Sequence, residues 1–182
     1  IRAWGEALGQ PAVDTIYLGG GTPSLLEIDE LSRITDAAKE SFDVSGLMES
    51  TLEANPGDLD ADWLACAHEM GWDRISLGVQ TLDDALLEEL GRLHSSTQAL
   101  EAVEAARHAG FRRISADLMV GVPGQRLASV IDDAERLVAL GVATRDDAGA
   151  LYERFDAKMT AMGVARDGVI VAATRKGRHE FM

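Results

Sequence analysis

Along residues 1–142, short runs typical of β-strands alternate with longer stretches in which apolar residues recur with helical periodicity. The run 14–18 contains β-branched and aromatic residues and ends at three consecutive glycines, which predicts a strand that stops in a tight connection. In the next stretch, 28–42, apolar side chains recur every three or four positions, as they do on the buried face of a helix. The pattern therefore predicts a strand–turn–helix unit at the start of the chain.

The same unit is repeated along the chain. Further strands are predicted over 48–53, 74–79 and 113–119, each followed by helical periodicity. Asp60 is placed to cap the first of these later helices. Glycines that can stop the helices are Gly71, Gly91, Gly110 and Gly141. The residues expected on the inner face of the last helix are Val130, Ile131, Ala134, Leu137 and Val138.

Strand–helix alternation of this kind is typical of an α/β fold in which right-handed crossovers join a parallel sheet. It leaves an open doubly wound sheet and a (β/α) barrel as alternatives. Four strands do not close an eight-stranded barrel, so any barrel is present only in part.

The composition changes near residue 143. Residues 1–142 carry 10 basic and 25 acidic side chains, whereas residues 143–182 carry 7 and 6. A polar stretch that follows the last predicted helix coincides with this change. We therefore expect one domain over 1–142 and a second, small module over 143–182.

Composition also narrows the classes of ligand and compartment. The 182 residues hold 31 acidic and 17 basic side chains, and a formal charge of -14 argues against nucleic acid as a partner. Cys66 is the single cysteine, which excludes a zinc site of several thiolates and a cysteine-held iron–sulfur cluster supplied by this chain alone. No apolar run approaches the ~20 residues of a membrane span. We expect a cytoplasmic protein that binds a small molecule.

Candidate chemistry lies where the predicted strands end, because the carboxyl ends of parallel strands share one rim. Three glycines and Thr22 follow the first strand, and glycines allow a backbone to approach a ligand closely. The spacing is neither a Walker loop nor a Gly-x-Gly-x-x-Gly motif, so a tight connector without a ligand is the alternative. Glu53 ends the second strand, where it is either an acceptor for a cationic amine or a solvated acid.

Further polar residues fall at or just beyond the next two strand ends. Gln80 follows the third strand, and Arg92 presents a guanidinium suited to a carboxylate unless it is a surface arginine. Asp117 lies in the apolar fourth strand and must be paired, either as a structural cap or as a ligand for hydroxyls. Together these groups suit a zwitterionic ligand that bears hydroxyls, such as S-adenosylmethionine. The histidines without metal-site spacing are His68, His94, His108 and His179.

Five segments carry a family resemblance through their order and spacing. They are Tyr17–Leu26 (Tyr-Leu-Gly-Gly-Gly-Thr-Pro-Ser-Leu-Leu), Glu53–Pro56, Ile75–Gln80, Leu90–His94 and Asp117–Gln125. The chain resembles the oxygen-independent coproporphyrinogen III oxidase family of radical SAM proteins, and most of all the branch whose members act as heme chaperones.

The resemblance implies a partial parallel (β/α) barrel of the radical SAM type, with S-adenosylmethionine and a 4Fe-4S cluster as cofactors and porphyrin or heme as a further ligand. The tail 168–178 resembles the small winged-helix-like C-terminal module of the family. Residues that match positions contacting S-adenosylmethionine are Gly20, Gly21, Thr22 and Glu53. Residues that match further positions binding it are Gln80, Arg92 and Asp117. The resemblance assigns no residue of this chain as catalytic.

Departures from the family leave the function open. The three cluster cysteines and the later barrel strands are absent, so the join near residue 143 is interpreted as a discontinuity in which a middle portion is deleted or missing from this sequence. The His-Asn-x-x-Tyr sequence associated with heme in the chaperone branch is also absent. Three functions remain: an oxidase whose radical starts the decarboxylation of porphyrinogen propionates, a chaperone that passes heme to an acceptor protein, and a cluster-free nucleotide-binding domain.

Overall fold

The computed structural model describes residues 1–142, so the module predicted over 143–182, with its winged-helix-like tail, lies outside the described residues. The strands are β1 (Thr15–Leu18), β2 (Glu49–Ala54), β3 (Arg74–Gln80) and β4 (Arg113–Leu118). They form one sheet in the order β1-β2-β3-β4, in which β1 pairs in parallel with β2, and β2 with β3. The predicted parallel sheet is therefore confirmed, and each strand boundary lies within one residue of its predicted place.

Helices precede and separate these strands. They are α1 (Arg2–Leu8), α2 (Ile28–Ser41), α3 (Ala61–Glu69), α4 (Asp84–Glu89), α5 (Ser96–His108) and α6 (Leu127–Ala139). Two short 3-10 turns, Pro23–Leu25 and Pro56–Asp58, follow β1 and β2. The sequence pattern predicts α2 to α6. It does not predict α1 or the two 3-10 turns.

The limits of α3 show why helix ends could be predicted. The Asp60 carboxylate accepts a hydrogen bond from the Trp63 amide at 2.7 Å, which satisfies a backbone donor at the start of the helix. Gly71, just beyond the end of α3, has a φ of +101°, in the left-handed region that favours glycine. The other three glycines predicted as stops also have positive φ values. All four predicted stops are confirmed.

The inner face of α6 differs from the prediction at one residue. The sequence pattern predicts that Ile131 faces inward, but Ile131 is 39% exposed, whereas Asp133 is 4% exposed and Leu137 is also buried. The buried face of α6 therefore includes a polar residue. A prediction from apolar periodicity places Ile131 on that face instead, because it assigns an aspartate to the exposed side of a helix.

The described residues fall into two compact units. The first contains Ile1–Gly78 and Glu101–Ser115, and the second contains Val79–Leu100 and the residues from Ala116 onward. The core of the first unit consists of large side chains that are at most 3% exposed: Leu31, Leu52, Leu64, Trp72, Ile75, Leu77, Val103 and Phe111. In the second unit Val79, Leu87 and Ala99 are buried together with polar Thr81, His94 and Asp133.

Within the first unit, the two faces of the sheet have opposite character. One set of alternate residues is apolar apart from Ser50: Ile16, Leu52, Ile75, Leu77 and Ile114. The other set is polar: Thr15, Tyr17, Glu49, Thr51, Glu53, Arg74, Ser76 and Ser115. A parallel sheet covered by helices on both faces is apolar on both. The polar face is therefore the one on which ligand-binding groups are to be sought.

A network of charged side chains joins the amino-terminal ends of three strands on this face. Glu49 Oε1 lies 3.6 Å from Arg74 Nη1, and Glu49 Oε2 lies 3.1 Å from Arg113 Nη1. Arg113 also donates to the Asp73 carboxylate. Asp73 Oδ1 accepts a second hydrogen bond from the Ser50 amide at 2.8 Å. Since these groups lie at the end opposite to the glycine loop, we interpret them as stabilising the fold.

We expect Asp73 to make stability depend on pH in the acid range. Partial burial raises the pKa of Asp73, but hydrogen bonds from Ser50 and Arg113 and the Arg113 charge lower it by more, so the folded pKa is below the ordinary value. This stabilisation is present above the unfolded pKa of about 4 and is lost as pH falls through the folded pKa. In thermal melts, Asp73→Asn should melt below the wild type at pH 7 and approach it in acid. Asp36→Asn, which removes an exposed charge on α2, is the control; a difference for Asp73→Asn that is constant with pH would contradict the expectation.

Candidate functional site

The loop after β1 offers its backbone to open space. Gly20 and Gly21 have φ values of +88° and +61°, in the left-handed region that side chains other than glycine rarely adopt. No heavy atom lies within 4 Å of the place that a Cβ would take on either residue. These two glycines therefore form an exposed backbone cradle, which we call the glycine loop (residues 19–21).

Glu53 holds the glycine loop from the end of β2. Its Oε2 accepts a hydrogen bond from the Gly20 amide at 3.1 Å, and its Oε1 accepts one from the Tyr17 hydroxyl. A Cβ on Gly19 would lie 2.6 Å from Glu53 Oε2 and 2.6 Å from Tyr17 Cε1, so a side chain there would displace the ends of both side chains. The structure thus brings together the predicted loop and the predicted acid.

Tyr17 is a member of this arrangement that the sequence prediction did not identify as a site residue, whereas Gly19 was predicted only as one of the three loop glycines. Tyr17 is 50% exposed although it belongs to a strand. It lies on the same face as Glu53, since its strand partner is Thr51, two residues before Glu53. The alternation of polar residues along the strands was the signal that could have identified it.

A second set of hydrogen bonds ties the loops after β1 and β2 to each other. The Ser24 hydroxyl, which is buried, accepts from the Asn55 amide at 3.1 Å. Asn55 Nδ2 donates to Asp58 at 3.2 Å, and Trp63 Nε1 donates to the Leu26 carbonyl at 3.0 Å. These bonds fix the two 3-10 turns that follow the strands. Thr22, half-buried, precedes the first turn, and its carbonyl accepts from Leu25.

The other three predicted site residues belong to the second unit. Gln80 ends β3 with a φ of +69°, and its carbonyl accepts a hydrogen bond from the Met119 amide at 2.7 Å. Arg92 is half-buried in the connection between α4 and α5, and Asp117 is half-buried on β4. Within this unit the structure therefore links Gln80 to the segment that follows Asp117.

Metal ligands are a separate question. In the part of the chain that the structure describes, no three His, Cys, Asp or Glu side chains are grouped so that they could hold a metal ion. Cys66, half-buried on α3, is the single thiol of the sequence. The residues of this chain therefore do not fit a 4Fe-4S cluster, which needs several cysteine thiolates. The ring of buried His94 lies 3.2 Å from the Val79 carbonyl, a structural contact.

S-adenosylmethionine, in contrast, fits the residues present. The glycine loop leaves space that a side chain would fill, and the Glu53 carboxylate lies beside it. Such an arrangement can accept hydrogen bonds from an ammonium group while the loop backbone contacts the rest of a ligand.

Among the helices of residues 1–142, none has the length and apolar character that a membrane crossing requires.

Comparison with known proteins gives three kinds of match. The profile of the radical SAM superfamily matches residues 1–137. The chain is 44% identical over 126 residues to the heme chaperone HemW of Lactococcus lactis, an alignment that covers 69% of this chain and 33% of the relative. It is 45% identical over 120 residues to the heme chaperone HemW of Bacillus subtilis, covering 65% and 32%. The chain thus spans about a third of the length of these curated relatives.

Among solved structures, the coproporphyrinogen III oxidase HemN from Escherichia coli, described as a radical SAM enzyme, superposes with a TM-score of 0.65. The sequence identity is 27%, and the match covers 71% of this chain and 30% of that protein. An archaeal Elp3 from Methanocaldococcus infernus matches with a TM-score of 0.57 at 22% identity, which bears on the fold alone. These matches agree with the resemblance that the five sequence segments carry.

Proposed function

Because this chain belongs to the radical SAM superfamily, and within it to the HemN-like proteins, we propose that its glycine loop and Glu53 bind S-adenosylmethionine. The observation that carries the proposal is the open backbone at Gly20 and Gly21 directly beside the Glu53 carboxylate. S-adenosylmethionine and a 4Fe-4S cluster are the cofactors that the superfamily implies. When bound, they supply radical chemistry, while the protein binds and orients.

Each predicted residue has a chemical role in this proposal. Glu53 and backbone carbonyls accept hydrogen bonds from the ammonium group, and Thr22 adds a hydroxyl beside the glycine loop. The Arg92 guanidinium suits the carboxylate of the ligand. Asp117 accepts hydrogen bonds from the ribose hydroxyls, and Gln80 offers both a donor and an acceptor. The cluster requires thiolates beyond the single cysteine of this chain.

For the protein as a whole, we propose heme delivery, in which heme is bound and passed to an acceptor protein. The support is the identity of 44% and 45% to two proteins named heme chaperones. Oxidation of coproporphyrinogen is the second candidate, favoured by the structural likeness to HemN. A cluster-free nucleotide-binding domain is the third, since Cys66 is the only thiol.

Heme binding and coproporphyrinogen turnover separate these candidates when both are measured on a cluster-loaded protein that contains this chain. Heme delivery predicts stoichiometric heme binding, seen as a Soret band, with no decarboxylation. Decarboxylation that depends on S-adenosylmethionine would instead establish the oxidase. If calorimetry detects no S-adenosylmethionine binding by the cluster-loaded protein, the cofactor proposal is wrong.

Asp117→Asn tests whether the Asp117 carboxylate accepts hydrogen bonds from the ribose hydroxyls or only from backbone groups. A carboxylate can accept two charge-assisted bonds from a pair of hydroxyls, whereas an amide presents one oxygen and a donor. If Asp117 binds the ribose, affinity for S-adenosylmethionine should fall by roughly 1.5 to 3 kcal/mol, on the order of tenfold to a hundredfold, with a smaller effect on melting. Calorimetry and thermal melting together make the measurement, and exposed Asp132→Asn is the control. A large melting shift at unchanged affinity would assign Asp117 to the scaffold.

A further inference from the structure

A buried acid on α6 holds the turn that follows β3. Asp133 is 4% exposed, and a buried carboxyl is costly unless it is hydrogen-bonded. Its Oδ2 accepts from the Thr81 hydroxyl at 2.8 Å and from the Leu82 amide at 2.9 Å. Because both donors belong to consecutive residues, one oxygen atom fixes the direction of the chain immediately after Gln80.

The turn that Asp133 holds contains an unusual backbone conformation. Gln80 has a φ of +69°, which a residue other than glycine adopts only at an energetic cost. Its carbonyl is held by the Met119 amide at 2.7 Å. On the other side, fully buried Thr81 accepts from the Asp83 amide at 3.2 Å. Strained backbone of this kind persists where the surroundings impose it, and such sites concentrate where function needs a fixed geometry.

We propose that Asp133 is a positioning residue that imposes the left-handed conformation of Gln80 and thereby sets the Gln80 side chain for S-adenosylmethionine. The inference rests on the proposed function, because Gln80 is one of the residues proposed to bind that cofactor. Without the two bonds to Asp133, the turn keeps only the backbone bonds from Met119 to the Gln80 carbonyl and from Thr81 to the Val79 carbonyl. We expect Gln80 then to relax more readily toward an extended conformation, which turns its side chain in another direction. Asp133 then affects the ligand without contacting it.

The test compares three variants in the cluster-loaded protein by calorimetry with S-adenosylmethionine. Asp133→Ala removes both bonds and should weaken binding about tenfold. Asp133→Asn keeps an oxygen with two lone pairs and should recover most of the affinity, to within about threefold of the wild type. The matched control, Asp132→Ala, removes the exposed neighbouring acid from the same helix and should leave the affinity unchanged.

A double-mutant cycle with Gln80→Ala separates positioning from general stability. If Asp133 acts through Gln80, the Gln80→Ala/Asp133→Ala variant should bind no more weakly than Gln80→Ala alone. Losses that multiply in the double variant would overturn the inference, since Asp133 would then act independently of Gln80. Wild-type affinity for Gln80→Ala would instead overturn the proposed role of Gln80. Loss in Gln80→Ala but not in Asp133→Ala would overturn only the positioning role.

Thr81 gives a second route if Asp133→Ala does not fold. Thr81→Val removes the hydroxyl that donates to Asp133 while keeping the β-branched shape, and Thr81→Ser keeps the hydroxyl. We expect Thr81→Val to weaken S-adenosylmethionine binding and Thr81→Ser to preserve it, with faster hydrogen exchange at the Leu82 amide in Thr81→Val. Wild-type affinity in Thr81→Val would overturn the inference by itself.

Discussion

We expect Gly21→Val to lose measurable S-adenosylmethionine binding while the protein remains folded. Gly21 has a φ of +61°, and a β-branched residue in this region costs about 1 to 2 kcal/mol, which a folded domain can tolerate. No heavy atom lies within 4 Å of the ideal Cβ position of Gly21, so the Val side chain would extend into open space. This is the space through which the loop is proposed to contact the ligand. Calorimetry on the cluster-loaded protein measures the affinity, and thermal melting checks the fold.

Gly9→Val is the matched control for the strain that this substitution introduces. Gly9 has a φ of +72°, and no heavy atom lies within 4 Å of its ideal Cβ position either. It ends α1 and has no part in the proposed site. We therefore expect a similar fall in melting temperature and an unchanged affinity. Unchanged affinity in Gly21→Val would remove the glycine loop from the binding site and, with it, the observation that carries the proposed function.

Much of the fold could be predicted because its signals are local. Asp60 and Gly71 mark the two ends of α3 through hydrogen bonds and dihedral angles that depend on a few neighbouring residues. The meeting of Glu53 with the glycine loop could also be predicted, because parallel strands place their carboxyl ends at one rim. α1 escaped the prediction because its seven residues complete scarcely two turns, too few to establish a period.

What could not be predicted depends on contacts between residues far apart in the sequence. Tyr17 and Glu53 are 36 residues apart, and Thr81 and Asp133 are 52 apart. Alternation along β1 places Tyr17 on the same face as Glu53, but no local pattern indicates that the two side chains are hydrogen-bonded or that Asp133 is buried. The prediction for α6 was wrong at Ile131, because buried Asp133 interrupts the pattern of apolar residues from which the inner face is predicted. Sequence patterns therefore predict least well the residues, such as Tyr17 and Asp133, whose roles depend on a distant partner.

Glu53→Gln should show that one acid both shapes the glycine loop and attracts the ligand. The Gly20 amide and the Tyr17 hydroxyl donate to different oxygens of Glu53. An amide presents one acceptor oxygen and one NH2 donor, so the side chain no longer accepts a bond on each of its two terminal atoms, and the charge that attracts an ammonium group is removed. We expect the affinity for S-adenosylmethionine to fall by about 3 kcal/mol, on the order of a hundredfold, with little change in melting temperature.

Glu49→Gln is the control for Glu53→Gln, since Glu49 lies on the same strand and the same face of the sheet. Glu49 lies four residues before Glu53 on β2 and pairs with Arg74 and Arg113 at the other end of the sheet. Its substitution should lower the melting temperature and leave the affinity unchanged, because the network it belongs to stabilises the fold and lies away from the glycine loop. We therefore expect Glu53→Gln to lose binding and keep its stability, and Glu49→Gln to lose stability and keep its binding. If both lose stability and neither loses binding, Glu53 is a structural acid like Glu49, and the ligand lies elsewhere.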